Sequence, residues 1–380
     1  MQKQVCKNKF AKANKHFKLS LFSKGRRLKV SLAKPFNQRD FNTQHMELYI
    51  NTPGAYLHVK DDLFAIKTNT EGKELVQHIA AHKLRTIVIA THAALSTDAV
   101  RLALMNNVDI VFLKSDGHPL GRVWHSKMGS TTKIRKQQLV VSLNAKGLEW
   151  TKTWLTTKLN NQIEHLKDLR KHRTETYGEL IDQKCSSIDN MRQAIATLTG
   201  NNTNQIADSA RGYEGTAGRY YWETLSALLA EQYKFDGRSM RPAKDQFNAF
   251  LNYAYGILYS KVEKVLIIAG IDPYVGFMHR DDYNQKSMVF DFIEPYRIYA
   301  ERVVFKLFAA KKINKAHTTQ ITNGLSLNKE GKILLVEAFT EHLETETIRY
   351  KGKNQTRFNA MQFDAHNFAQ QLLTEEVEIV

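Results

Sequence analysis

The chain has 380 residues and a formal net charge of +17, enough length for two domains, since a single core seldom grows past about 250 to 300 residues. No apolar run approaches the roughly 18 residues that would span a bilayer, which excludes a transmembrane reading. Only Cys6 and Cys185 are present, far apart and in neither a metal-knuckle nor a redox spacing, so the sequence fits a reducing, cytoplasmic compartment.

The charge is unevenly spread. Residues 1–45 hold twelve Lys or Arg against one Asp, which is +11, and everything from Met46 onward carries only +6. This basic, aperiodic extension is expected to be disordered in the free protein. Three readings stay open for it: a basic arm that adds non-specific phosphate attraction, an upstream start in place of Met46, or a targeting peptide. The last lacks a compact apolar centre and a small-residue cleavage site.

Residues 46–127 read as a β-rich domain. Tyr49 to Lys67 alternates around Pro53-Gly54 and Asp61-Asp62 as hairpin material, and Leu84 to Ala90 and Asp109 to Leu113 are β-branched runs. Between those runs Ser96 to Asn107 opens with Ser-Thr-Asp, good capping chemistry, and continues as a helix. Asp116-Gly117 then turns into LGRVW. His78 and His82 stand four apart on an expected helix, but Ile79 occupies the place where a metalloprotease needs Glu. They are read as ordinary helix histidines, and His118 and His125 have no recognisable partners.

A linker and helix start are expected over 128–146, followed by a helical domain over 147–380. Trp150, Trp154, Leu155, Leu159, Ile163, Leu166 and Leu169 form an apolar stripe on a charged helix, whose Lys and Arg read as a solvated face. Asn201 to Gln205 is a polar turn, and Phe358 to Leu373 is a last helix. Asn252 to Ala269 has the three-and-four spacing of one buried helix face, and Gly270 stops it.

Chemistry concentrates after that helix. IDPYVGFMH ends at His279, a polar loop carries Asp281 and Asp282, and Asp291-Phe-Ile-Glu-Pro-Tyr-Arg297 follows, containing Glu294. A third ligand would complete a divalent-cation site, and Glu214 in GYEGTAGRYYW is the best candidate. The small residues around it allow a helix or a phosphate backbone to approach. Carboxylates plus one imidazole suit Mg²⁺ or Mn²⁺ better than zinc. Each residue also has a plainer reading. His279 could be a general base or a core histidine, Glu294 could pair with Arg297, Asp291 could cap the helix near Pro295, and the glycines could be helix-packing residues beside a surface Glu. Arg219, Arg241 and Arg297 are candidate phosphate contacts by charge and nearness to the motifs.

Together GYEGTAGRYYW, RPAKDQFNAFLNYAYGILYS at 241–260, AGIDPYVGFMH at 269–279 and MVFDFIEPYR at 288–297 resemble the CRISPR-associated integrase family, the first-numbered of the core CRISPR proteins. STDAVRLALMNNVDIVFLKSDGHPLGRV at 96–123 fits that family's β-domain, and the resemblance covers almost all of residues 46–380. It implies an α+β fold, with an N-terminal β-rich domain followed by a larger all-α catalytic domain. It implies metal binding by Glu214, His279 and Glu294, support from the acidic Asp291, and structural duty for Asn248 and Asn252. It further implies a homodimer, two of which are bridged by a small ferredoxin-like CRISPR partner to hold prespacer DNA. The expected activity is a metal-dependent endonuclease and integrase that joins prespacer 3′-hydroxyl ends to the CRISPR repeat. Two rivals are a stand-alone structure-selective repair nuclease and a non-catalytic DNA-binding scaffold subunit. The extension before Met46 departs from the family pattern and inherits no role.

Overall fold

The computed structural model describes residues 46–70, 73–114, 117, 119–123, 131–240, 242–279 and 285–374. The basic extension 1–45, Asp116, His118, His125, the start of the expected linker before Thr131, Arg241, Asp281, Asp282 and the acidic end after Thr374 lie outside the described residues.

Two four-stranded sheets form the N-terminal part. In one, β1 (Met46–Ile50), β5 (Leu84–Ile89) and β7 (Asp109–Leu113) run parallel, and β8 (Pro119–Val123) closes the edge antiparallel. In the other the order is β4 (Lys73–Ala80), β3 (Leu63–Thr70), β2 (Ala55–Lys60) and β6 (Ala93–Leu95). The hairpin between β2 and β3 turns on Asp61 and Asp62, both at positive φ (51° and 55°), a two-residue turn whose twist matches its strands. Helix α1 (Thr97–Met105) starts where its sequence says it should, with the Ser96 hydroxyl accepting from the Ala99 amide at 3.1 Å.

The parallel strands are apolar on both faces because both are covered. Leu48, Ile50, Ile87, Ile89 and Ile110 bury against Leu57 and Phe64 of the second sheet and Ala99 and Ala103 of α1. Val88, Val111 and Leu113 point the other way, into a small cavity shared with Ile257, Lys261 and Lys264 of the helical domain.

One local expectation is corrected here. His78 lies in β4, whose residues pair along their whole length with β3, and His82 sits in the short turn Ala81–Lys83. Lys-Glu-Leu-Val-Gln-His-Ile-Ala is a strand by its pairing with β3 rather than by any alternation of its own, so the two imidazoles share no helix face.

The helical domain contains α2 (Thr131–Ser142), α3 (Ala145–Arg170), α4 (Glu175–Thr197), α5 (Ala207–Ala227), α6 (Gln246–Ala269), α7 (Ser287–Phe292), α8 (Arg297–Ala309), α9 (Lys329–Thr340) and α10 (Arg357–Thr374). Within 128–146 the first helix, α2, both starts and ends, and Asn144 then caps α3 by accepting from the Lys146 amide. The domain also carries two hairpins, β9 (Thr318–Ile321) with β10 (Gly324–Leu327) and β11 (Thr347–Tyr350) with β12 (Lys353–Thr356). Their turns place Asn323, Lys351 and Gly352 at positive φ. Four-residue strands are too short to register against longer helical periodicity. Among the described residues no helix is long and apolar enough to cross a membrane.

Helix α6 is the axis of the domain and is buried on nearly every side rather than on the one face its spacing suggests, its polar Asn248, Asn252, Lys261 and Lys264 each finding partners in neighbouring elements. It begins at Gln246, where the Asp245 carboxylate accepts from the Asn248 amide at 2.7 Å, and it ends as expected at Gly270, in the left-handed conformation (φ 84°).

Two lysines on α6 tie this helix to the β-domain. The Lys261 ammonium lies on Glu47 and, at 2.7 Å, on Glu344 of the turn after α9, while Lys264 donates to the Thr86 hydroxyl at 2.7 Å and lies 3.8 Å from Asp109. Arg122 of β8 completes the layer against Asp109. Because Glu47 and Lys261 are both buried, Lys261→Ala leaves uncompensated charge between the domains. We expect a loss of about 3 to 5 kcal/mol of unfolding free energy in urea denaturation; a loss under about 1 kcal/mol, the range of exposed pairs, would contradict this account of the interface.

Candidate metal centre of the helical domain

Four segments converge beside α6. Helix α5 presents Glu214 and Arg219, α3 presents Lys158, the loop after α6 presents His279, and α7 with the turn Glu294–Tyr296 presents Asp291 and Glu294.

The loop is fixed from two sides. Gln138 of α2, fully buried, donates to the Asp272 and Val275 carbonyls (both 2.8 Å) and accepts from the Asp272 amide at 3.0 Å. Asp291 holds the other end by accepting from three successive backbone amides, Phe277 at 2.5 Å, Met278 at 3.0 Å and His279 at 3.2 Å. Gly276 makes this approach possible, since a Cβ there would stand 3.0 Å from Asp291 Oδ2 and 2.5 Å from Ser287 Cβ.

Asp291 also meets the imidazole, with His279 Nδ1 2.6 Å from Oδ1. A proton on Nδ1 shared with a carboxylate leaves Nε2 as the ring's lone pair, the tautomer a metal-binding histidine needs. Asp291 is thus a support for the loop and the ring rather than the cap of a following helix.

Glu214 and Glu294 meet on a single cation. The Lys158 ammonium contacts Glu214 Oε1 and lies 2.7 Å from Glu294 Oε2. Glu294 Oε1 accepts from Arg297 Nε at 2.9 Å and lies 2.8 Å from Nη2, and Arg297 itself stacks over the Tyr255 and Tyr259 rings. Burial pushes the Glu294 carboxyl up, but Arg297 and Lys158 overcome that and hold it down at about 2. Asn161 of α3 fixes the turn from outside by donating to the Pro295 carbonyl at 2.8 Å.

The expected residues therefore stand as two pairs, Glu214 with Glu294 through Lys158, and His279 with Asp291. Among the described residues no three His, Cys, Asp or Glu side chains form a ready cage for one ion. The donor types nevertheless fit a hard divalent cation: two carboxylates already share one positive charge, and the His279 ring, with Nδ1 on Asp291, keeps Nε2 out of that contact.

Of the arginines proposed for phosphate, Arg219 is exposed, Arg297 is committed to Glu294, and Arg241 lies outside the described residues. The glycines flanking Glu214 pack against no helix: a Cβ on Gly212 or Gly215 would meet nothing within 4 Å. Asn248 and Asn252 have a structural duty, receiving Arg238 at 2.6 and 2.7 Å and holding the carbonyls of Gly237, Ser239 and Met240. Sequence reasoning missed Lys158 and Arg238. Lys158 had a signal, since it lies one turn after Trp154 on the apolar stripe, where a lysine must find an anion.

A family model described as CRISPR associated protein Cas1 matches residues 48–341. The chain belongs to the Cas1 family. It is 32% identical over 320 residues to a CRISPR-associated endonuclease Cas1 of Archaeoglobus fulgidus, covering 81% of this chain and 91% of that protein. A second Cas1 endonuclease, from Saccharolobus solfataricus, is 33% identical over 254 residues, covering 67% and 72%. Among solved structures, the fold is that of a Cas1 protein from Thermotoga maritima (TM-score 0.71, 19% identity, 88% of this chain and 99% of that one) and of a casposase bound to its integration product (TM-score 0.75, 20% identity, 87% and 92%). Its TM-score against a Cas6-RT-Cas1–Cas2 complex is also 0.71, at 19% identity, covering 89% of this chain and 36% of that one. The β-rich domain and the larger helical domain are the Cas1 arrangement, and the chain is an enzyme of this endonuclease family.

The loop anchor makes a direct prediction. Asp291→Ala removes the acceptor of three buried amides, so we expect a loss of about 2 to 4 kcal/mol in urea denaturation; a change within about 0.5 kcal/mol, the level of an ordinary surface substitution, would contradict the anchoring role.

Proposed function

We propose that this chain is a divalent-metal-dependent DNA endonuclease and strand-transferase of CRISPR adaptation, joining prespacer 3′-hydroxyl ends to the repeat. The observation that carries the reading is the meeting of Glu214 and Glu294, from distant parts of the chain, on one positive charge, and with it goes the His279 imidazole, whose Nδ1 lies on Asp291. Glu214, Glu294 and His279 Nε2 are the groups that would hold Mg²⁺ or Mn²⁺. Such an ion, when bound, polarises a phosphodiester and lowers the pKa of an attacking hydroxyl or water.

The chain's own contribution is position and charge. Asp291 and Gln138 keep the His279 loop in place, and Arg297 keeps Glu294 ionised against its burial. Gly212, Gly215 and the exposed Arg219 lie together on an open face of α5, away from Glu214, where a sugar-phosphate backbone could rest beside the site. Phosphoryl transfer asks little more of a protein than this. With a 3′-hydroxyl as nucleophile the site joins strands, and with water it cleaves them.

A homodimer working with a small ferredoxin-like partner belongs to this reading; likeness of fold to a casposase bound to its integration product and to a Cas6-RT-Cas1–Cas2 complex supports work on DNA with a Cas2 partner. The test is strand transfer of a 3′-hydroxyl DNA end into a repeat-containing duplex with Mn²⁺. Glu214→Ala is expected to lose about a hundredfold or more of the product, as is the wild type in EDTA. Undiminished product from the variant would overturn the assignment.

A further inference from the structure

Lys158, like Lys261 at the domain interface, ends between two carboxylates, and here both belong to the candidate metal centre. It rises from the apolar stripe of α3, its side chain 9% exposed, and delivers its ammonium between two carboxylates that come from α5 and from the turn before α8. With Arg297 on the far oxygen of Glu294, this pocket holds two carboxylates and two cations. It is neutral as it stands.

A divalent ion bound directly to both carboxylates would need oxygen contacts of about 2.0 to 2.6 Å. That places it in the volume the ammonium now fills, because Lys158 Nζ already touches Glu214 Oε1 and lies 2.7 Å from Glu294 Oε2. The two cations exclude each other.

We propose that Lys158 is a resident counter-ion: it holds Glu214 and Glu294 together while no metal is bound, and the divalent ion enters by displacing its ammonium. The proposal rests on the metal-dependent reading above. The four-carbon stem of lysine lets the released ammonium swing away without moving α3, and the entering ion turns a neutral pocket into a positive one. Attraction for a phosphodiester would then switch on with metal binding, so the carboxylates need not await the ion in mutual repulsion. Neutral Lys158→Met removes the competitor and leaves two carboxylates facing each other, so metal should bind more tightly. Lys158→Arg replaces a point charge with a planar fork suited to carboxylates, so metal should bind more weakly.

The experiment is Mn²⁺ titration of the full chain, read by the loss of the free-ion electron paramagnetic resonance signal, with no DNA present. Relative to wild type, Lys158→Met is expected to bind Mn²⁺ about tenfold more tightly and Lys158→Arg about tenfold more weakly. In EDTA Lys158→Met should also melt below wild type and recover on Mn²⁺ addition. Equal affinity across the three proteins, or weaker binding by Lys158→Met, overturns the proposal. If Lys158→Met does not fold, Lys158→Arg against wild type decides it, with unchanged affinity counting against. Glu214→Ala, titrated in parallel, separates the two claims. Mn²⁺ binding that survives this substitution defeats the metal-site reading itself, whereas its loss together with unmoved Lys158 variants defeats only the counter-ion.

Discussion

A carboxylate taken out of water must find a cation or become an acid, and much of this structure is organised by that choice. Glu294 and Glu301 make the comparison inside one short segment. Both are buried, but Glu294 has Arg297 and Lys158 against it and stays ionised, whereas Glu301 receives the Tyr255 hydroxyl at 2.7 Å and burial pushes its carboxyl up. The first outcome keeps a charged carboxylate between Arg297 and Lys158, and the second leaves a carboxyl joined to Tyr255 where α8 packs against α6. The same requirement recurs between the domains, where Glu47, Glu344 and Asp109 are answered by Lys261, Lys264 and Arg122.

Helix α6 links these clusters. Its middle carries Tyr255 and Tyr259, which support Arg297, and one turn later Lys261 and Lys264 reach the β-domain. Its last residue passes through Gly270 into the loop that ends at His279. The His279 loop and the domain interface are thereby fixed to one long element.

Much of this was legible from local chemistry. The Ser96 cap, the turn at Asp61-Asp62, the α3 stripe and the stop at Gly270 are all decided by residues near one another in sequence, and all stand where expected. What failed was chemistry decided at a distance or over too few residues. The short hairpins after α8 were hidden among helical segments, and the strand carrying His78 reads as a helix until its β3 partner is known. The lysines of α3 were read together as a solvated face, although Lys158 occupies a stripe position and only the fold reveals the carboxylates that accept it. Asp291 was seen as an acidic neighbour. Its grip on three amides depends on the absence of a side chain at Gly276, a relation that spacing does not encode.

The central claim is that the Glu214 and Glu294 carboxylates, now joined through Lys158, and the His279 imidazole, now on Asp291, close on a single ion. Pulsed electron paramagnetic resonance of the Mn²⁺-loaded chain tests it most directly, because a coordinated imidazole imprints a nitrogen coupling on the metal signal. The account predicts one histidine nitrogen coupled to Mn²⁺ in the wild type, and its disappearance in His279→Ala. A signal without nitrogen coupling, or a coupling that persists in the variant, would contradict it.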